Sequence, residues 1–298
     1  METIQIKIKK ERPIFIIHPA DVYVQGGLHP PLGLAYINSS LKNGGYKPNV
    51  VDLVFDRELK KLKESELNNG IYLISFSTVL SERVHKIIDV IRLKDKNAII
   101  LGGGAHPTVR KEKIFDEFDL DLIALGEVNI TDIIDAYHSS DVYAELSKIK
   151  GIMYKQDGKI VINEPAEYLD NLDGVPLPSL EDFPVYEYFK IKGYRELSLI
   201  TSRGCPYRCT FCQPILNNLF GKKIRFQSPK RVVDEIEYFV NKLKLDIISF
   251  NDDTFAFHQQ RVIDICKEII DRKIHFLWRC QTRVGLRRDV LEYMKKAG

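Results

Sequence analysis

The sequence predicts an α/β protein in two parts, a doubly wound, mostly parallel sheet followed by a partial β/α barrel. Three observations carry this. Short apolar runs alternate with amphipathic helical stretches through the first half of the chain. Four prolines between Pro165 and Pro184 then interrupt the alternation. A second alternating series begins at Leu197. The expected boundaries are a first domain over 1–148, a hairpin and linker over 149–195, and a second domain over 196–298.

The elements follow in order. Pro13–His18 reads as a strand, and a helix from Leu32 to Lys42 is stopped by Gly44-Gly45. A strand near Pro48–Val54 precedes a charged helix near Arg57–Glu66. Ile71–Ser75 is a strand and Glu82–Leu93 a helix. Ala98–Leu101 is a strand running into Gly102-Gly103-Gly104, with a helix near Thr108–Phe118 behind it. Leu122–Leu125 and Ile130–His138 make the last strand and helix of the series. Ile149–Glu164 reads as a small hairpin turning at Asp157-Gly158. In the second series, strand Leu197–Thr201 leads to a helix capped by Ser228-Pro229, whose apolar Val232, Val233, Ile236, Phe239, Val240 and Leu243 keep helical spacing. Strand Asp246–Asn251, helix Gln260–Arg272, strand His275–Arg279 and helix Arg288–Lys296 complete three β/α units. Three strands cannot close a barrel, so a C-terminally truncated chain is expected.

Composition narrows the function. The chain has 298 residues, 44% of them hydrophobic, and a formal net charge of +3. That supports substantial cores and implies no nucleic-acid or anionic-membrane partner. Apolar stretches of about six residues fall far short of the roughly 20 that span a bilayer. The N-terminus has no signal-peptide core, and five cysteines, three of them clustered, suit a reducing cytoplasm.

The chemistry concentrates in Cys205-Pro-Tyr-Arg-Cys209-Thr-Phe-Cys212, a loop directly after an apolar strand. Three thiolates at this spacing can each hold one iron of a [4Fe–4S] cube, leaving the fourth iron open to an outside ligand. A structural zinc site completed by Cys266, His258, Cys280 or His275 competes, but zinc sites more often pair two half-sites.

The run Thr201-Ser-Arg-Gly204-Cys205 through Phe211-Cys212 resembles the signature of the radical S-adenosylmethionine (radical SAM) enzymes. The resemblance implies that S-adenosylmethionine chelates the open iron and yields a 5′-deoxyadenosyl radical on one-electron reduction. It places Phe211 near the adenine. Asn251-Asp252-Asp253-Thr254-Phe255 ends the second barrel strand and resembles an Asp-Asp-x-Phe seen in relatives. From position, Asp252 and Asp253 would meet the methionine amino group or a cluster-proximal water, or else cap a helix or turn. Thr282 and Arg283, after the third strand, would face the same ligand, Arg283 through the carboxylate, or else Arg283 is a surface arginine. Cys266 and Cys280 read as packed thiols and Trp278 as core.

Upstream, Pro31-Leu32-Gly33, Ser75-Phe-Ser77-Thr78, Gly102-Gly103-Gly104 and Gly126-Glu127 sit at strand ends or helix starts. Together they resemble the cobalamin-binding domain that precedes the barrel in one radical SAM subfamily. That subfamily includes methyltransferases and the anaerobic porphyrin cyclases. The resemblance implies cobalamin at these residues, beside a [4Fe–4S] cluster and S-adenosylmethionine. Methylation of an unactivated carbon is the expected reaction, with oxidative cyclisation, rearrangement or a cobalamin-free enzyme as alternatives. The expected partners are a small-molecule or peptide substrate and an electron donor such as flavodoxin or ferredoxin. Cobalamin mutases supply a cobalt ligand from Asp-x-His-x-x-Gly; here Asp21-Val-Tyr23-Val-Gln-Gly26 puts tyrosine in that place, and His18 or His29 would be the flanking candidates.

Overall fold

A computed structural model of the chain describes residues 12–22, 28–207, 209, 210, 212 and 220–298. It divides into two compact units, the first of residues 1–21 and 40–166, the second of 22–39 and 167–298. The hairpin expected in the linker thus belongs to the first unit, and residues 22–39 belong to the second.

The first unit is a seven-stranded sheet in the order β2-β1-β3-β4-β5-β6-β7. Strands β1 (Ile14–His18), β2 (Asn49–Asp52), β3 (Ile71–Ser75), β4 (Ile99–Gly103) and β5 (Leu122–Ala124) run parallel. The hairpin β6 (Ile152–Gln156) and β7 (Lys159–Ile162) extends it antiparallel from β5. Helices α1 (Leu32–Asn43), α2 (Lys60–Glu64), α3 (Ser81–Lys94), α4 (Ala105–Arg110), α5 (Ile114–Glu117), α6 (Ile130–Tyr137) and α7 (Val142–Leu146) connect the strands; α1 crosses the division between the units. The central strands are buried along nearly their whole length, which is why they read as continuous apolar runs rather than alternating ones. Their side chains pack with Val84, Ile87, Ile88 and Ile91 of α3 into one core.

Two helices are shorter than their sequence patterns suggest. The charged stretch over 57–66 is helical only at Lys60–Glu64, because Leu59 is left-handed (φ 55°) and Asp56 accepts the Lys60 and Lys61 amides at 3.0 and 2.7 Å. The helix expected over 108–118 starts at Ala105 and breaks at Lys111 (φ 51°), resuming at Ile114.

The second unit holds a three-stranded parallel sheet in the order β12-β11-β8, built from β8 (Glu196–Leu199), β11 (Ile247–Phe250) and β12 (Leu277–Cys280). A small antiparallel pair, β9 (Ser202–Arg203) and β10 (Arg225–Phe226), brackets the cysteine segment. Helices α8 (Val185–Lys192), α9 (Pro229–Leu243), α10 (Gln259–Asp271) and α11 (Arg288–Lys296) follow or link the strands. The cap of α9 forms as its sequence requires: Ser228 Oγ accepts the Arg231 amide at 3.2 Å and Pro229 opens the helix. One sheet face is apolar, with Leu197, Leu199, Ile248 and Phe250 buried. Trp278, on the same face, lies edge-on to Phe250 and donates Nε1–H to the Ala297 carbonyl at 3.1 Å. The opposite face carries Glu196, Ser198, Ser249 and Arg279, as strand alternation demands. Helix α8 lies inside the stretch read from sequence as a linker, with Val185, Tyr188 and Phe189 buried.

Candidate active site

The cysteine loop leaves the carboxyl end of β8 through β9, the end at which β/α barrels place their chemistry. Gly204, one residue before Cys205, has φ +90°, and a Cβ there would stand 2.5 Å from the Lys223 carbonyl. Glycine is required because the two sides of the loop close on each other at this point. Cys205 and Cys209 are half-buried and Cys212 is exposed, all three as free thiols. The Cys212 amide donates to the Cys209 carbonyl at 3.1 Å, which turns the third cysteine back toward the second. Burial raises the Cys205 thiol against a backbone hydrogen bond from Tyr207, and the charges of Asp253, Cys212 and Cys209 raise it further. Phe211 lies outside the described residues.

The exit of β8 is held by a buried frame. Asp252, 1% exposed, follows β11 and accepts the Thr201 amide at 2.5 Å, the Ser202 amide at 3.1 Å and the Thr201 hydroxyl at 2.6 Å. Arg261 of α10 donates to the Thr201 carbonyl at 3.0 Å and the Gln227 carbonyl at 2.9 Å. The Gln227 amide donates to the Thr201 carbonyl at 2.9 Å. Burial raises the Asp252 carboxyl while the Thr201 and Ser202 hydrogen bonds oppose it. Burial likewise lowers Arg261, to about 10. Asp252, expected to contact the methionine amino group, thus has both oxygens committed to the backbone and hydroxyl that launch the cysteine loop. Asp253, half-buried, is the carboxylate beside Cys205.

Arg283 also reaches this loop: its guanidinium lies 4.0 Å over the Tyr207 ring, between the first two cysteines. Tyr207 in turn meets Phe257 edge-on at 5.9 Å. Thr282, beside Arg283, is half-buried. Burial pushes the Cys266 thiol up to about 12 and the Cys280 thiol up to about 11, as packed thiols behave.

In the first unit, the carboxyl ends of β3, β4 and β5 bring together Ser75, Ser77, Thr78, Gly102, Gly103, Gly104, Gly126 and Glu127. The three glycines differ physically. A Cβ on Gly102 would stand 2.7 Å from Leu120, and one on Gly104 (φ +89°) 2.7 Å from Ser75 Oγ and 3.0 Å from the Phe76 backbone. Those two are glycines because protein fills the space. Gly103 has only the Ala124 carbonyl, at 3.9 Å, and is partly exposed. Its bare backbone therefore leaves open surface at a strand end. His106 is buried and joins Thr78 Oγ1 at 3.0 Å to Glu117 at 3.3 Å, tying the Thr78 turn to α4 and α5. Pro31, Leu32 and Gly33 fall in the second unit.

Both candidate histidines have protein partners. His18 Nδ1 is hydrogen-bonded to Asp52 at 3.0 Å within the first unit. His29, in the second, lies 3.1 Å from Lys192 Nζ and 3.3 Å from Ser198 Oγ. Burial and then the Lys192 charge lower its pKa. Tyr23 lies outside the described residues.

Residues 21–132 match the B12 binding domain family. Over 284 residues the chain is 30% identical to an uncharacterized methyltransferase of Pyrococcus horikoshii, covering 92% of this chain and 60% of that protein. It is 27% identical to the anaerobic magnesium-protoporphyrin IX monomethyl ester cyclase of Rubrivivax gelatinosus, over 96% of this chain and 53% of the cyclase. The chain thus carries a B12-binding-domain match within a sequence similar to methyltransferases and to a porphyrin cyclase. Its fold matches that of the radical S-adenosylmethionine methyltransferase TsrM from Kitasatospora setae, solved with cobalamin and a [4Fe–4S] cluster bound, at a TM-score of 0.72 and 17% identity. That match covers 97% of this chain and 57% of TsrM. The chain thus spans between half and two thirds of the length of each of these relatives.

The residues present fit the cofactors bound in TsrM, cobalamin and a [4Fe–4S] cluster. Three free thiols on one loop suit a cube, in which each thiol binds its own iron. Among the described residues, no three His, Cys, Asp or Glu side chains gather to hold a single metal ion. The open backbone at Gly103 suits a large planar ligand. Gly103→Val is accordingly expected to block cobalamin retention while changing stability by less than about 1 kcal/mol. Gly104→Ala, forced to a left-handed φ against the Phe76 backbone, should cost about 2 kcal/mol or more. Thermal melting and retained corrin absorbance after desalting check both.

A buried carboxyl gives this chain a pH-dependent stability. Glu235 of α9 is pushed up to about 7 by burial, against the Arg231 charge and hydrogen bonds from Gln227 and Tyr36. A raised carboxyl stabilises below its unfolded value near 4.5 and loses that contribution as pH climbs through 7. Glu235→Gln should therefore raise the melting temperature at pH 8, by up to about 3 kcal/mol of stability, and leave it nearly unchanged at pH 4.5.

Proposed function

We propose that this protein is a radical SAM enzyme that methylates an unactivated carbon of a small molecule or peptide, with a [4Fe–4S] cluster, S-adenosylmethionine and cobalamin as cofactors. The single observation that carries the reading is the three-thiol loop at the carboxyl end of β8, preceded in the chain by a B12-binding domain. When bound, these groups supply a strongly oxidising carbon radical and a transferable methyl group. The protein's own part is positional. Cys205, Cys209 and Cys212 hold the cluster. Phe211, Asp253, Thr282 and Arg283 surround the S-adenosylmethionine, with Asp253 taking the amino group and Arg283 at the loop surface over Tyr207. Asp252 fixes the loop's starting backbone. Ser75, Ser77, Thr78, Gly103, Gly126 and Glu127 line the cobalamin face, Gly102 and Gly104 shape it from below, and Pro31, Leu32 and Gly33 belong to the same assignment. A small reduced carrier such as flavodoxin or ferredoxin delivers the electron. A cytoplasmic setting suits free thiols; no described helix is long and apolar enough to cross a membrane.

The similarity to the cyclase, along 96% of this chain, favours oxidative cyclisation or rearrangement as the second reading. Anaerobic incubation with S-adenosylmethionine and a reductant separates the two. Methyl transfer yields both 5′-deoxyadenosine and S-adenosylhomocysteine, whereas cyclisation or rearrangement yields 5′-deoxyadenosine without S-adenosylhomocysteine.

A further inference from the structure

The polar face of the three-stranded sheet carries a charged group that neither the cluster nor S-adenosylmethionine has been assigned. Barrel interiors are ordinarily filled by bulky branched side chains. Here the row paired across the three strands is Ser198, Ser249 and Arg279, with Glu196 two residues earlier on β8. Glu196 is wholly buried and is held at about 2: burial raises it, but hydrogen bonds from Lys192 and Ser249 and the Lys192 charge outweigh that. Its Oε1 accepts from Ser249 Oγ at 2.5 Å and from Arg279 Nη2, and its Oε2 accepts from Lys192 Nζ. Arg279 Nε donates to Ser249 Oγ at 2.6 Å.

Two cations therefore share one carboxylate, and the group keeps a net charge of about +1 with His29 neutral beside Lys192. The two cations are not equivalent. The Lys192 side chain is 8% exposed, whereas that of Arg279 is 64% exposed and lies outermost. Glu196 and Ser249 fix the guanidinium along its Nε and Nη2, and Nη1 has no partner among the described residues. A fork pre-oriented in this way, with one edge left open, is suited to a planar or tetrahedral oxyanion.

We propose that Arg279 binds an anionic group, a carboxylate or phosphate, of the substrate, and that Glu196 is the positioning residue that aims it. The anion's assignment to the substrate rests on the radical SAM reading above. It places the substrate's charged end on the inner sheet face, one residue short of the carboxyl end of β12.

The test uses the reconstituted chain as wild type, Arg279→Gln and Arg279→Lys, with inorganic phosphate as probe and acetate as competitor, followed by phosphorus NMR line width. S-adenosylhomocysteine affinity is measured in parallel by equilibrium dialysis. Saturable phosphate binding, displaced by acetate, is expected in the wild type. It should weaken about tenfold or more in Arg279→Gln and less in Arg279→Lys, with S-adenosylhomocysteine affinity unchanged in both. Matching thermal melts show that any loss is not unfolding. Equal phosphate binding in Arg279→Gln, or no saturable binding in the wild type, overturns the proposal. Weakened S-adenosylhomocysteine binding in Arg279→Gln also overturns it, because the arginine would then read the cofactor's carboxylate. The phosphate measurement needs no cysteine, so its failure is separate from a failure of cluster assembly.

Discussion

Cys209→Ala is expected to remove the cluster and with it all formation of 5′-deoxyadenosine, while the fold survives. Cys209 is half-buried on a loop and packs into neither core, so its loss should cost little stability. A cube held by two remaining thiols loses a second iron to solvent and falls apart. Cys205→Ala and Cys212→Ala should behave alike. Iron per chain and the visible absorbance after anaerobic reconstitution check this, with circular dichroism reporting on the fold. Cys266→Ala is the contrast. That thiol is wholly buried, and removing it should lower stability while leaving the cluster in place.

Asp252→Ala comes next in size. It strips acceptors from two backbone amides and a hydroxyl in a buried site, at a cost on the order of 3–5 kcal/mol. Thr201 and Ser202 would no longer hold the register from which Gly204 and Cys205 depart, and cluster content should fall with stability. Asp252→Asn separates positioning from charge. Its amide oxygen can still accept the Thr201 and Ser202 amides, and its nitrogen can donate to the Thr201 hydroxyl, which then serves as acceptor. Cluster content in Asp252→Asn should therefore approach that of the wild type. A cluster absent from Asp252→Asn with the fold intact would mean that the negative charge itself is needed. Asp253→Asn has no such framework role, and its effect should fall on S-adenosylmethionine affinity.

How much of this was legible in the sequence follows the range of each interaction. The cysteine spacing, the Ser228-Pro229 cap and the buried strands were readable because each is set by neighbours a few residues away. Asp252 and Asp253 are adjacent and chemically identical. Only the packing of β11 beside β8 shows that the first turns inward to Thr201 and Ser202, while the second stays half-buried and its charge acts on Cys205. The glycine run is similar: Leu120, Ser75 and Phe76 explain two of the three residues, and none of these lies within the run. Helix α8 was missed because prolines upstream masked a short apolar period at Val185, Tyr188 and Phe189. The β9–β10 pair was missed because two-residue strands carry no period at all. Arg279 drew no attention because its partners, Glu196 and Ser249, arrive from other strands.

The most direct test of the central claim is the absorbance spectrum of the chain after anaerobic reconstitution with iron, sulfide and hydroxocobalamin, followed by desalting. The two-cofactor account predicts cluster absorption that vanishes in Cys209→Ala and corrin bands that vanish in Gly103→Val, each variant keeping the other chromophore. A wild-type chain that retains neither cluster nor corrin, or a cluster that persists in Cys209→Ala, would contradict it.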